Sequence, residues 1–203
     1  MEIFDIIDEN GRPTGETVPR ELAHRDGVRH RTAHVWVIRP SEAGYDILLQ
    51  KRSQDKDSFP GLYDTSSAGH IPAGSEPVAS ALRELEEELG LRAEPEQLRF
   101  AGRFWIEYTE TFHGRPFHDN EVTWVYVYQE PLQIANLTLQ ASELEEVRWF
   151  DLEEVWQEVR VDQSRFCMPL KGLRVLRNWL GLEPFEDGPQ SLRTEPDSQG
   201  ANE

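Results

Sequence analysis

The sequence has 203 residues, of which 38 are acidic and 21 basic, for a formal net charge of −17. That length suits one domain with extensions, and the charge balance argues against nucleic acid or an anionic membrane as a general partner, because the chain as a whole has no basic face. One cysteine, Cys167, excludes an intrachain disulfide framework and points to a reducing compartment.

The N-terminus, MEIFDIIDENG, has neither a basic n-region nor an apolar h-region, and no later run reaches membrane-spanning length, so a soluble cytoplasmic protein is expected. Glu2 to Asp8 alternates as a short strand, and Asn10-Gly11 supplies a tight turn before Pro13-Thr14-Gly15. Pro19 to Arg31 suits a short helix and a loop rich in His and Arg. Ala33 to Ile38 and Tyr45 to Arg52 read as two strands around a turn at Ser41 to Gly44. A loop, Ser53 to Gly61, carries Lys56, and Leu62 to Ala68 continues as an extended segment.

The next stretch, Gly69 to Leu91, contains four glutamates in the five positions from Glu84 to Glu88. Ala79, Leu82, Leu85 and Leu89 recur at helical spacing and give one apolar stripe. Glu84, Glu87 and Glu88 stand at i, i+3 and i+4, so their carboxylates converge on a neighbouring face. Like charges at that spacing repel, and a divalent cation reverses the sign. A few carboxylate oxygens, with water in the remaining positions, describe a Mg²⁺ or Mn²⁺ site that leaves coordination free for phosphate. A charge run is more often a solvated helix face, but the stripe, the expected N-cap at Ser75 and the terminal Gly90 agree with the metal reading. Beyond the helix, Arg99 to Thr111 and Glu121 to Gln129 read as aromatic-rich strands joined by a polar loop, His113 to Asn120. Glu145 to Phe150 gives another strand, and Leu152 to Val159 and Pro169 to Leu180 give amphipathic helices. This order indicates an α/β domain with a mixed sheet between helical layers, spanning residues 1–182. From Glu183 to residue 203, six acids stand against Arg193 alone, among Pro, Gly, Ser and Gln, and a disordered tail is expected.

The segment from Gly69 resembles the Nudix box: Gly69, Arg83, Glu84, Leu85, Glu87, Glu88, Gly90 and Leu91 match its pattern in register. One position departs, since the isolated glutamate of the box falls on Ser75 with Glu76 one place late. The resemblance implies an α/β/α sandwich and a pyrophosphohydrolase that uses Mg²⁺, with Mn²⁺ as a substitute. Metal ligands would be Glu84, Glu87, Glu88 and the backbone of Gly69, and the substrate a small diphosphate or nucleotide. A homodimer is common in such relatives. A narrower resemblance, running from about Ile3 to about Leu180, is to type I isopentenyl-diphosphate isomerase, through His24, His30, Arg52, Lys56, Gly69-His70 and Asn120-Glu121-Val122. In that branch a metal site of three His and two Glu would fall on His24, His30, His70, Asp119 and Glu121. Arg52 and Lys56 would hold the diphosphate, and Arg83 is a further candidate for substrate binding.

The isomerisation does not follow, because its cysteine before the Gly-His pair is Ala68 here, and a methyl cannot transfer a proton. Hydrolysis is therefore the expected reaction. Glu84, Glu88 and Glu121 are the candidate catalytic carboxylates, with Glu121 or Glu84 taking the proton of the attacking water. The competing expectations are an isomerase-like enzyme and a catalytically weak diphosphate-binding or regulatory module. Histidines more often serve as ordinary core or surface groups, so His24, His30 and His70 have a plain structural reading as well. Trp105 and Tyr108 are the candidate base-stacking residues among aromatics otherwise expected in the sheet core.

Overall fold

The computed structural model describes residues 2–182, so the expected acidic tail lies outside the described residues. The chain runs β1 (Ile3–Ile7), β2 (Pro13–Pro19), α1 (Arg20–Asp26), β3 (His30–Ser41), β4 (Gly44–Arg52), β5 (Tyr63–Asp64) and β6 (Ser67–His70). It continues with α2 (Pro77–Leu89), β7 (Leu98–Phe112), β8 (Arg115–Tyr128), β9 (Leu144–Asp151), α3 (Leu152–Val161) and α4 (Leu170–Trp179). β1 and β2 form a separate hairpin, and the main mixed sheet has the order β5-β4-β3-β8-β7, with β6 added on β3 and β9 on β4.

β3 is the hub. Its side chains alternate between faces: Ala33, Val35 and Val37 enter one core with Leu85 and Leu89 of α2, whereas Trp36 and Ile38 enter a second core with residues of α3 and α4. This alternation gives the expected helix-sheet-helix layering. One edge of β3 pairs with parallel β8 from His30↔Glu121 to Val37↔Tyr128. The other edge is divided: β6 takes Thr32 to Val35, and β4 takes Ile38 to Ser41. Two partners on one edge leave a fork between them.

Three local expectations need correction. The residue at the N-cap of α2 is Glu76, not Ser75; no side chain caps it, and Pro77 occupies the first turn, where a missing N–H costs nothing. The buried stripe of α2 runs through Ala81, Leu85 and Leu89, with Val78 and Leu82 partly buried beside it, and Ala79 faces out. The polar stretch after Phe112 is not a loop, because β8 begins at Arg115 and pairs with β7 from Phe112↔Arg115 onward. His113 (φ 50°) and Gly114 (φ 74°) both adopt left-handed backbone, as a tight hairpin turn demands. Among the described residues no helix is long and apolar enough to cross a membrane.

Leu85 is fully buried between α2 and β3. Leu85→Ala should lower the unfolding free energy in urea by about 2–5 kcal/mol, whereas Val161→Ala, at a site 88% exposed, should shift it by less than about 0.5 kcal/mol.

Candidate active site

A cavity of about 800 Å³ opens at the fork, lined by Glu84, Glu87 and Glu88 of α2 as well as by Arg52, Lys56 and Glu121. Glu88 projects from the apolar side of its helix and is 6% exposed. Its Oε2 accepts from Gln50 Nε2 on β4 (3.3 Å) and from the Ala68 N–H on β6 (3.2 Å), so one carboxyl spans both banks of the fork. Burial, followed by repulsion from Glu84, pushes the Glu88 carboxyl up to about 8. Burial also raises Glu84. Glu87 is half exposed and turns toward Arg83.

Arg83 does not line the cavity. Its guanidinium donates to Glu84 Oε1 (2.6 Å), Glu87 Oε2 (2.7 Å) and the His70 carbonyl (3.3 Å), so it ties two carboxylates of α2 to β6. Gly69 is required by close approach: a Cβ there would lie 2.2 Å from Glu84 Cδ. The carboxylates and the glycine-made cradle fit a hard divalent cation with oxygen ligands.

Ser75 offers no carboxylate, and the loop before α2 is held from outside it. Asp5 on β1 accepts from the Gly74 N–H (3.0 Å) and pairs with Arg31 (2.7 Å), whose guanidinium also donates to the Ser75 carbonyl (3.1 Å). Asp5 and Arg31 are buried, so each compensates the charge of the other. The only sequence signal for this was an acid inside an apolar strand, which does not name its partner.

Beside the carboxylates lies a second cluster. His24, His30, His70 and Glu121 bring one ligand atom each to within 4.8 Å of one another. His24 Nδ1 lies 3.1 Å from the Arg20 carbonyl and His30 Nδ1 2.9 Å from the Val28 carbonyl, which orients both Nε2 atoms inward. His30 Nε2 and Asp119 Oδ1 are buried without a hydrogen-bond partner. Burial lowers His70 well below the usual range and brings His24 to about 4, so both are neutral imidazoles. Burial, then repulsion from Glu121, raises Asp119 to about 9. Burial pushes Glu121 upward too, but the approach of His30 Nε2 to its Oε1 (3.4 Å) outweighs it and holds the carboxyl below its ordinary range. Neutral imidazoles, a carboxylate and orphaned ligand atoms fit a borderline transition-metal ion.

Both expected clamp cations line the cavity, and each already has a carboxylate partner: Arg52 with Asp64 (3.2 Å) and Lys56 with Glu143. Arg20 and Lys171 line it as well and were not singled out from the sequence. Tyr108 stands in the wall near Phe59 and Phe117, both at 6.3 Å between ring centroids, whereas Trp105 packs at the edge of the core. Cys167, distant in sequence from Ala68, lines the same cavity; burial and then Asp64 keep its thiol protonated.

Residues 28–168 match the NUDIX domain profile. The chain belongs to the NUDIX family. It is 41% identical over 155 residues to Nudix hydrolase 3 of Arabidopsis thaliana, covering 75% of this chain but only 20% of that protein's length. It is 33% identical over 162 residues to an isopentenyl-diphosphate Delta-isomerase of Dinoroseobacter shibae, covering 79% of this chain and 83% of the relative. A Deinococcus radiodurans crystal structure shares the fold, with a TM-score of 0.61 and 16% identity over 87% of this chain and 98% of that one. The Nudix-type α/β assignment and the expectation of a Nudix enzyme agree with these relatives, and Nudix enzymes generally use a divalent metal.

Gly69→Ala should leave the fold intact, because the atom it displaces is the end of a flexible side chain, but should weaken Mg²⁺ binding by about 10–100-fold in calorimetry; unchanged affinity would remove Glu84 from the metal site. Glu88 supplies a pH test. Its ordinary value is 4.5 and its folded value about 8, so the metal-free folded protein keeps a proton that the unfolded chain has released, and stability falls as pH rises through that window. In EDTA, Tm should fall more steeply between about pH 5 and 8 for the wild type than for Glu88→Gln.

Proposed function

We propose that this Nudix protein is a Mg²⁺-dependent hydrolase that cleaves the diphosphate linkage of a nucleoside diphosphate derivative or of a nucleoside di- or triphosphate. The observation that carries the reading is the single cavity in which the α2 carboxylates face the cations Arg52 and Lys56. Glu84, Glu87 and Glu88 would hold the cation, with the Gly69 backbone completing the set. When bound, the cation neutralises phosphate charge and lowers the pKa of an attacking water.

The chain's own groups supply the rest. Arg52 and Lys56 exchange their carboxylate partners for phosphate oxygens and offset charge that a −17 chain otherwise repels. Glu121 or Glu84 takes the proton of the water as its oxygen bonds to phosphorus. The bridging P–O bond breaks, and the leaving phosphate departs with the electron pair. The products are a nucleoside phosphate and a phosphorylated leaving group, or orthophosphate from a simple nucleotide.

The imidazole cluster favours a second reading, isomerisation of isopentenyl diphosphate, since the isomerase branch would place its metal there. Against it stands Ala68, with the nearest alternative thiol, Cys167, held protonated by burial and Asp64.

Purified protein with Mg²⁺ or Mn²⁺ should release phosphate or nucleotide from one class in a panel of nucleoside di- and triphosphates, nucleotide sugars and dinucleoside polyphosphates. Glu87→Gln and Glu88→Gln should each reduce that activity by at least about 100-fold while the fold persists; normal activity in both would sink the metal assignment. Glu121→Gln and Glu84→Gln separate the base from the ligands, because loss of kcat at unchanged Mg²⁺ affinity marks the base. Conversion of isopentenyl diphosphate to its allylic isomer would favour the second reading.

A further inference from the structure

His34 has no part in either metal cluster. It follows Thr32 and precedes Trp36 on the same face of β3, where the wholly buried Trp36 is covered by the core of α3 and α4. At His34 that cover ends and the cavity begins. The imidazole is 9% exposed and lines the cavity, and its ring meets the edge of Phe104 at 5.8 Å. Its Nδ1 is buried with no partner, and neither ring nitrogen makes a hydrogen bond among the described residues. Packing therefore holds the ring, with Nδ1 buried and unsatisfied and Nε2 bonded to no other described residue.

The neighbour across the sheet is informative. His34 pairs in register with Ala68 on β6, and side chains opposite one another on one face have Cβ atoms about 5 Å apart. The smallest side chain with a Cβ thus sits beside the imidazole and leaves room in front of it. Two polar groups, Asp64 and the Cys167 thiol, line the same cavity, and Asp64 is close enough to act on the imidazole electrostatically. Burial lowers His34, so the ring is neutral, with one nitrogen that donates and one that accepts.

An imidazole that lines a cavity with no partner among the described residues on its ring nitrogens is open to a hydrogen bond from a ligand. A hydrocarbon would leave the ring nitrogens unsatisfied, whereas a hydroxyl, carbonyl or heterocyclic nitrogen would supply the missing bond. We infer that His34 is a specificity-determining residue that hydrogen-bonds a polar group on the organic part of the diphosphate substrate, so that the cavity selects polar over hydrocarbon diphosphates. This rests on the diphosphate-binding reading above and adds the chemical class of the organic moiety.

The test uses two uncleavable probes, the methylenediphosphonate analogues of isopentenyl diphosphate and of 3-hydroxy-3-methylbutyl diphosphate, titrated calorimetrically into the full chain with Mg²⁺. They carry the same charge and differ by a water added across one double bond. The wild type should prefer the hydroxylated probe about tenfold, the worth of one neutral hydrogen bond. His34→Phe keeps a ring of similar size without nitrogens and should abolish or invert the preference, and His34→Leu takes its place if that variant does not fold. His34→Gln keeps a donor and an acceptor and should retain the preference. Equal affinities in the wild type, an unchanged ratio in His34→Phe, or no binding of either probe would overturn the assignment. A His34-dependent preference in a protein that cleaves nothing in the panel would instead defeat the hydrolase reading and leave His34 in its role.

Discussion

One edge of one strand cannot pair with two neighbours at the same residues, and the site depends on how β3 resolves that competition. β6 takes the N-terminal part of the edge and β4 the C-terminal part. The resulting gap admits a carboxylate from α2 into the sheet, where Glu88 borrows one donor from each bank. A continuous sheet would have closed over that position and left α2 an ordinary amphipathic helix. The same division sets the register that brings Gly69 under Glu84 and Ala68 opposite His34.

Around the gap, burial works on many titratable groups at once and sorts them by charge. Acids without a nearby cation, Glu88 and Asp119, are driven toward their protonated forms, and the histidines toward neutral ones. Glu121 escapes because His30 Nε2 lies 3.4 Å from its Oε1. A cation entering here finds imidazoles that have already shed their protons and must displace those of Glu88 and Asp119. The N-terminal hairpin contributes to this order: Asp5 fixes the loop from Gly74, and Phe4 stacks on His30 and His70 at 4.8 and 4.6 Å.

Much of this was legible in the sequence where the signal is local. The glutamate spacing with its flanking glycines identified α2 and the carboxylate site, and hydrophobic alternation identified β3, β4 and the later strands. What escaped depends on long-range pairing. Asp5 answers for Ser75 across 70 residues of chain, and nothing near either position announces it. His34 reads as one more polar residue in a strand until the register with Ala68 is known. Cys167 is distant from Ala68 in sequence, and only the fold brings both to one cavity. The polar stretch from His113 reads as a loop by composition, because a His-Gly turn is a weaker hairpin signal than Asn-Gly.

The pairs Arg52–Asp64 and Lys56–Glu143 have a consequence for turnover. On the proposed function, a phosphate entering the cavity would meet cations that are already engaged, so its binding would be an exchange of partners, and only the difference between two ion pairs would count toward affinity. A diphosphate, with its greater charge and its two points of attachment, competes well against a single carboxylate. After cleavage each fragment competes alone, and Asp64 and Glu143 stand ready to reclaim their cations. On that function the cavity would carry tethered competitors for its own product, which would favour release of the cleaved fragments and limit product inhibition.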